Sequence, residues 1–186
     1  RRPEGARQRD HAEGERLTDR EVCQVDWCGF EWASVAPSEV AGRLRTAAAA
    51  IAEVLGGDRG ALRARAEGTP WSPLEYACHT RDVLFTLRDR IVVAMNEDVP
   101  DGKPLHRDAR VSMGLYEGDE PAQVAGEVVM AADLFARTWE RVPTEMRSRT
   151  MRFAFPTEAV RSLSWVAAQT LHEVEHHLGD MRRLLG

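Results

Sequence analysis

Four stretches of the chain repeat apolar residues at helical spacing, and almost nothing between them alternates at the two-residue period of a strand. Each stretch is about 17 to 25 residues long, the usual size of a bundle helix. A chain of this pattern buries its apolar stripes by packing helix on helix, which predicts an all-α, up-down four-helix bundle. The first helix is expected over residues 39–55, with Ser38 as its cap and Gly56-Gly57 as its stop. The second has the clearest start. Ser72-Pro73-Leu74-Glu75 supplies a capping hydroxyl, a proline at the first helical position and a carboxylate three residues after the cap. That helix is expected to reach Asn96. Asp119 is the expected cap of a third helix over residues 120–142, ended by Pro143, and a fourth runs from near Ser162 to Leu185. Residues 151–155 (MRFAF) read as a short extended piece. The two later connections are longer than a simple bundle needs, and long loops at a bundle end often carry function.

The N-terminal part reads differently. Residues 1–20 are polar and aperiodic and are expected to form a disordered tail, leaving residues 21–186 as a single helical domain. Residues 22–33 (VCQVDWCGFEWA) carry Trp27, Phe30 and Trp32 and are expected to pack on the bundle as an irregular N-terminal arm. The three cysteines, Cys23, Cys28 and Cys78, form no disulfide framework and predict reduced thiols in a cytoplasmic setting. Cys23 and Cys28 lack a second pair to complete a zinc site and read as small buried residues. No apolar run approaches the roughly 18 residues of a membrane span, and the charged first residues lack the apolar stretch of a signal peptide. With a net charge of −5 and no patch interleaving basic and aromatic residues, nucleic acid is not an expected partner. Lys103 is the only lysine, and this arginine-heavy, Ala-rich composition fits a GC-rich bacterial genome.

The chemistry concentrates in the fourth helix, where His172, Glu173, Glu175, His176, His177 and Asp180 crowd together. Two i,i+4 pairs of metal ligands are present: His172 with His176, and Glu173 with His177. Residues four apart share a helix face, so either pair can chelate one ion. At roughly 100° per residue, Leu163, Val166, Thr170, Val174, Leu178 and Met181 form one stripe, with Glu173 and His177 beside it. His172 and His176 fall on the far side, with Trp165, Gln169 and Arg183. The Glu173/His177 pair therefore points closer to the bundle interior. A third ligand is expected from the second helix, where His79 follows the capping box at the edge of a broad apolar face. The plainer reading of the cluster is a solvated, charge-laced helix face. His106, Glu175 and Asp180 read as surface residues, and Trp71, Trp139 and Trp165 as packing residues.

These residues resemble a known family. Trp71, with His79 eight positions on, resembles the motif opening the second helix of DinB-like proteins. The run HEVEHHLGDM resembles their final-helix motif, in which His or Glu precedes a His by four and Gln, Asp or His follows three later. The ending His177-Leu178-Gly179-Asp180 aligns Glu173 and His177 with the ligand pair. The commoner pattern has histidine where Glu173 stands, which keeps the alternative set His79, His172 and His176 open. The His/Glu/His set is similar to the mycothiol-dependent maleylpyruvate isomerase branch. The resemblance spans roughly residues 37–186 and implies a DinB-like bundle holding one divalent metal ion, zinc first, with nickel, iron or manganese as alternatives.

Three protein ligands leave an open coordination position, the arrangement of a catalytic site. A metal so held can stabilise a bound thiolate or act as a Lewis acid. The resemblance implies the first use: a metal-dependent thiol S-transferase or thiol-assisted isomerase, with a low-molecular-weight thiol such as mycothiol as cosubstrate and an electrophilic small molecule as its target. No residue is assigned a catalytic role beyond ligation. Arg81 and Arg183 are candidates to bind a carboxylate of the thiol, and the sequence selects neither. The alternative is a non-catalytic metal-binding stress or interaction protein, and a homodimer is left open.

Overall fold

The computed structural model describes residues 22–154 and 158–186. The tail expected over residues 1–20 and the end of the MRFAF piece lie outside the described residues. The described residues form six α-helices: α1 (Val40–Val54), α2 (Arg59–Arg63), α3 (Pro73–Asn96), α4 (Arg107–Ser112), α5 (Pro121–Glu140) and α6 (Leu163–Leu185). Three short strands, β1 (Asp101–Gly102), β2 (Thr150–Phe153) and β3 (Ala159–Ser162), make a small sheet. Strand β2 runs antiparallel to β3 and parallel to β1.

The four long helices form the expected bundle. Helix α1 packs on α5 and α6, and α3 packs on the same two, so successive long helices (α1 and α3, then α5 and α6) face each other across the diagonals. The long connections permit this crossing. Leu44, Ile51, Leu84, Leu87, Ile91, Phe135, Trp139, Leu163, Leu171 and Met181 fill the centre. Each such side chain contributes about 1.5–3 kcal/mol of burial. Among the described residues, no helix is long and apolar enough to cross a membrane.

The helix starts test the local reading. The α3 capping box is complete: Ser72 Oγ accepts from Glu75 N, and Ser72 N donates to Glu75 Oε2 at 2.8 Å. Ser72→Ala is expected to cost about 1 kcal/mol, read as a lower denaturation midpoint at unchanged slope. Helix α6 starts as expected, with Ser162 Oγ accepting from Trp165 N. The other two starts differ. Neither Ser38 nor Asp119 is the cap. Glu39 and Glu120 hold those positions without a side-chain bond. Asp119 is engaged elsewhere, accepting from Arg81 at 2.9 Å and from the Cys78 thiol at 3.3 Å.

The arm is a tight turn closed by a bridge between Val22 and Glu31. Cys23 N donates to Phe30 O at 2.8 Å, and Gly29 adopts φ +58, a conformation that favours glycine. A short 3₁₀ turn, Trp32–Ser34, then leads toward α1. In the loop between α3 and α4, Val99 (φ 45) and His106 (φ 52) hold the left-handed conformation. For a β-branched residue this costs about 1–2 kcal/mol. Val99 is 41% exposed, so Val99→Gly forfeits little packing. It is expected to stabilise the protein by about 0.5–1 kcal/mol after glycine's added unfolded-state entropy. A drop in the denaturation midpoint would contradict this.

Candidate metal centre

The capping box fixes where α3 begins, and with it the direction of His79 in the second turn. Helix α6 packs directly on α3 and presents Glu173 and His177 from successive turns. All three side chains are buried, and their ligand atoms lie within 4.8 Å of one another. Glu173 Oε2 is 3.5 Å from His79 Nε2 and 3.3 Å from His177 Nε2. The other oxygen, Oε1, accepts a 2.7 Å hydrogen bond from Gln169 Nε2. Gln169 Oε1 in turn accepts from Trp32 Nε1 of the arm at 2.8 Å. On the far side, His177 Nδ1 donates to Asp180 Oδ2 at 2.8 Å, which leaves Nε2 directed at Glu173. Trp71 and Tyr76 pack against the imidazoles, with ring centroids 5.0 Å from His79 and 5.1 Å from His177.

The electrostatics follow from burial opposed by pairing. Burial pushes the Glu173 carboxyl up, but His177 and His79 outweigh it and hold the carboxyl well below its ordinary value. Burial pushes His177 down, but Asp180 and Glu173 raise it overall. His79 is lowered, chiefly by burial. Neither of its ring nitrogens has a hydrogen-bond partner among the described residues. Two imidazole nitrogens and one carboxylate oxygen are a donor set suited to a divalent first-row metal.

A cavity of about 370 Å³ opens against His79, Gln169 and Glu173. Val83, Leu87, Leu105 and Phe153 give it an apolar wall, and Arg90, Lys103, His106 and Arg107 line it with basic groups. Arg90 donates to Lys103 O and stacks on Phe153, with its guanidinium carbon 5.7 Å from the ring centroid.

The family model of the DinB superfamily matches residues 36–181. The chain belongs to this superfamily. Both DinB-like motifs, Trp71 with His79 and the HEVEHHLGDM run, lie inside the matched region. The fold is similar to the solved structure of YfiT from Bacillus subtilis, with a TM-score of 0.74 at 13% identity, covering 81% of this chain and 88% of YfiT. YfiT is described as a probable metal-dependent hydrolase with an unusual four-helix bundle topology. No curated protein matches the sequence.

Within this DinB fold, the pair His172 and His176 does not converge with His79. It faces the arm, where Cys23, Cys28, His172 and His176 bring their ligand atoms within 4.8 Å of one another. The arm covers this face of α6, with Phe30 and Trp32 against His172 and Trp27 against His176. Cys23 and Cys28 are half-buried rather than buried, and the two histidines lie beside them. Asp180, expected as a surface charge, instead orients His177 and lies 3.5 Å from His176 Nε2. Its spacing of three from His177 was the available signal. Neither expected arginine lines the cavity. Arg81 pairs with Asp82, Asp119 and Glu127, and Arg183 stacks 4.7 Å from the Trp27 ring centroid. His106 is exposed as expected, but at the cavity wall.

Proposed function

We propose that the chain is a metal-dependent enzyme in which His79, Glu173 and His177 hold one divalent cation, zinc first, beside the 370 Å³ cavity. The observation carrying this reading is the buried convergence of His79 Nε2, Glu173 Oε2 and His177 Nε2, with both His79 nitrogens lacking a hydrogen-bond partner among the described residues. Buried polar atoms without partners are costly, and a cation at the convergence gives His79 Nε2 the partner it lacks. When bound, such a cation supplies charge that stabilises a thiolate or polarises a substrate oxygen.

The reaction we favour is S-transfer, or thiol-assisted isomerisation, with a low-molecular-weight thiol such as mycothiol acting on an electrophilic small molecule. In S-transfer the thiol loses its proton to solvent, its sulfur forms a bond to the electrophilic carbon, and the leaving group departs with the displaced electron pair. In isomerisation the thiolate adds to a carbon–carbon double bond and, after rotation, is expelled again as the double bond re-forms. Gln169 and Asp180 hold the ligating side chains in orientation, as outer partners of metal sites do. The apolar wall excludes water from the reacting atoms, and the basic lining attracts a carboxylate on thiol or electrophile. Hydrolysis is the second reading, favoured by the likeness to YfiT.

Elemental analysis of wild type, His79→Ala and His177→Ala, followed by assays with thiol–electrophile pairs and with ester and amide panels, separates these readings. The proposal expects each variant to lose one metal equivalent per chain together with thiol consumption. Turnover of esters or amides without thiol would move the assignment to hydrolysis. Equal metal content in all three proteins would remove the centre.

A further inference from the structure

The arm and α6 build a second cluster that shares no ligand with the first. Cys23 and Cys28 have four residues between them, across the turn that Gly29 completes, and His172 and His176 lie on successive turns of α6. Cys-x₄-Cys with His-x₃-His falls within the ligand spacing of Cys₂His₂ zinc sites. Zinc bonds of about 2.3 Å to sulfur and 2.0–2.1 Å to nitrogen set tetrahedral ligand atoms about 3.3–3.8 Å apart. Cys23 Sγ is 3.8 Å from His176 Nδ1, and all four ligand atoms lie within 4.8 Å, so only a small contraction is needed.

His172 supplies an independent observation. It is 9% exposed, and neither ring nitrogen has a hydrogen-bond partner among the described residues. Phe30 and Trp32 crowd it, with ring centroids 5.0 and 4.6 Å away, and Trp27 covers His176 at 4.8 Å. A dry aromatic shell offers those nitrogens nothing, yet they belong to a cluster with two thiols. With His176 Nδ1 turned to Cys23, its Nε2 faces Asp180 at 3.5 Å, the outer carboxylate that metal-bound histidines commonly have.

We infer that Cys23, Cys28, His172 and His176 form a structural zinc site that clamps the N-terminal arm to α6. Two thiolates and two neutral imidazoles leave zinc with no net charge and no open position, the signature of a structural site. Binding releases the two thiol protons. The clamp also reaches the first centre, because the arm it fixes carries Trp32, whose indole holds Gln169 on Glu173.

Cobalt(II) substitution of the reduced, full-length chain tests this directly, since only the thiolate site gives a sulfur-to-cobalt charge-transfer band. Wild type is expected to develop that band to the saturating intensity of one thiolate-bound cobalt per chain. Cys28→Ser and His176→Gln should each lose or displace it, and His79→Ala should leave it unchanged. Cys28→Ser alters only the arm, so circular dichroism should show its bundle intact. Absence of the band in reduced wild type would overturn the site. So would an unaltered band in His176→Gln, or a chain isolated with Cys23 and Cys28 disulfide-bonded that takes up no cobalt after reduction. Loss of metal in His79→Ala with the band retained would support both centres; a retained band with no loss there would defeat only the first.

Discussion

Glu173→Gln is expected to weaken divalent-metal binding at the His79/His177 pair by at least about 100-fold. Loss of an outer partner alone typically costs 10- to 100-fold, and this change removes the ligand charge itself. The amide keeps the shape of the carboxylate and can still accept from Gln169, so the helix packing has no reason to change. In the metal-free protein two effects oppose each other. Losing the carboxylate removes the partner of His177, and it also removes a fully desolvated charge. Replacing buried ion pairs is often close to neutral, so metal-free stability should move by no more than about 1–2 kcal/mol. The linked effect is much clearer. At a metal concentration of 100 times the wild-type Kd, binding adds about 2.7 kcal/mol of stability. A 100-fold weaker variant gains only about 0.4 kcal/mol under the same conditions. Melting curves with and without zinc, in a Cys23→Ser/Cys28→Ser background so that one centre titrates, read this difference. An equal zinc-induced shift in both proteins would remove Glu173 from the ligand set.

What the sequence disclosed depended on how local each signal was. The α3 capping box involves Ser72, Pro73 and Glu75 alone, so it was readable and is present in full. Asp119 also reads as a cap, but Arg81 and Cys78, about forty positions earlier in the chain, compete for its carboxylate. The strands are two to four residues long, too short to show a period, and only β2 left a trace. Helical phase placed Glu173 and His177 beside the apolar stripe, and α3 packing on α6 then brings His79 to them. Phase also set His172 and His176 apart, but it could not show that residues nearly 150 positions upstream cover that face. The Cys-x₄-Cys and His-x₃-His spacings were both visible; their pairing was not. Of the basic cavity residues, Arg90 stands on α3, and a loop and the short helix α4, which carry no periodic signal, bring Lys103 and Arg107 to it.

Gly179→Ala gives the arm a test of sign rather than of size. Glycine inside a helix is about 1 kcal/mol less favourable than alanine, so on α6 alone the substitution stabilises. With the arm docked, the new methyl group runs into the Trp27 ring, far inside contact distance, and the indole has to leave. Trp27 then gives up its packing on His176 and its stacking with Arg183. A half-buried indole with a cation–π partner is worth about 1–3 kcal/mol, more than the helix gains. Gly179→Ala should therefore destabilise the wild-type chain and stabilise a Trp27→Ala chain by about 1 kcal/mol. The double-mutant cycle isolates the coupling, expected at about 1–3 kcal/mol, the packing that Trp27 gives up. A coupling near zero, with alanine stabilising in both backgrounds, would mean that the arm does not rest on α6 in solution. The effect also propagates: with Trp27 displaced, Cys23 and Cys28 lose their place beside His176, and Trp32 loses its hold on Gln169. A single methyl group that meets Trp27 rather than any proposed ligand should then weaken cobalt binding at the cysteines first and loosen Glu173 second.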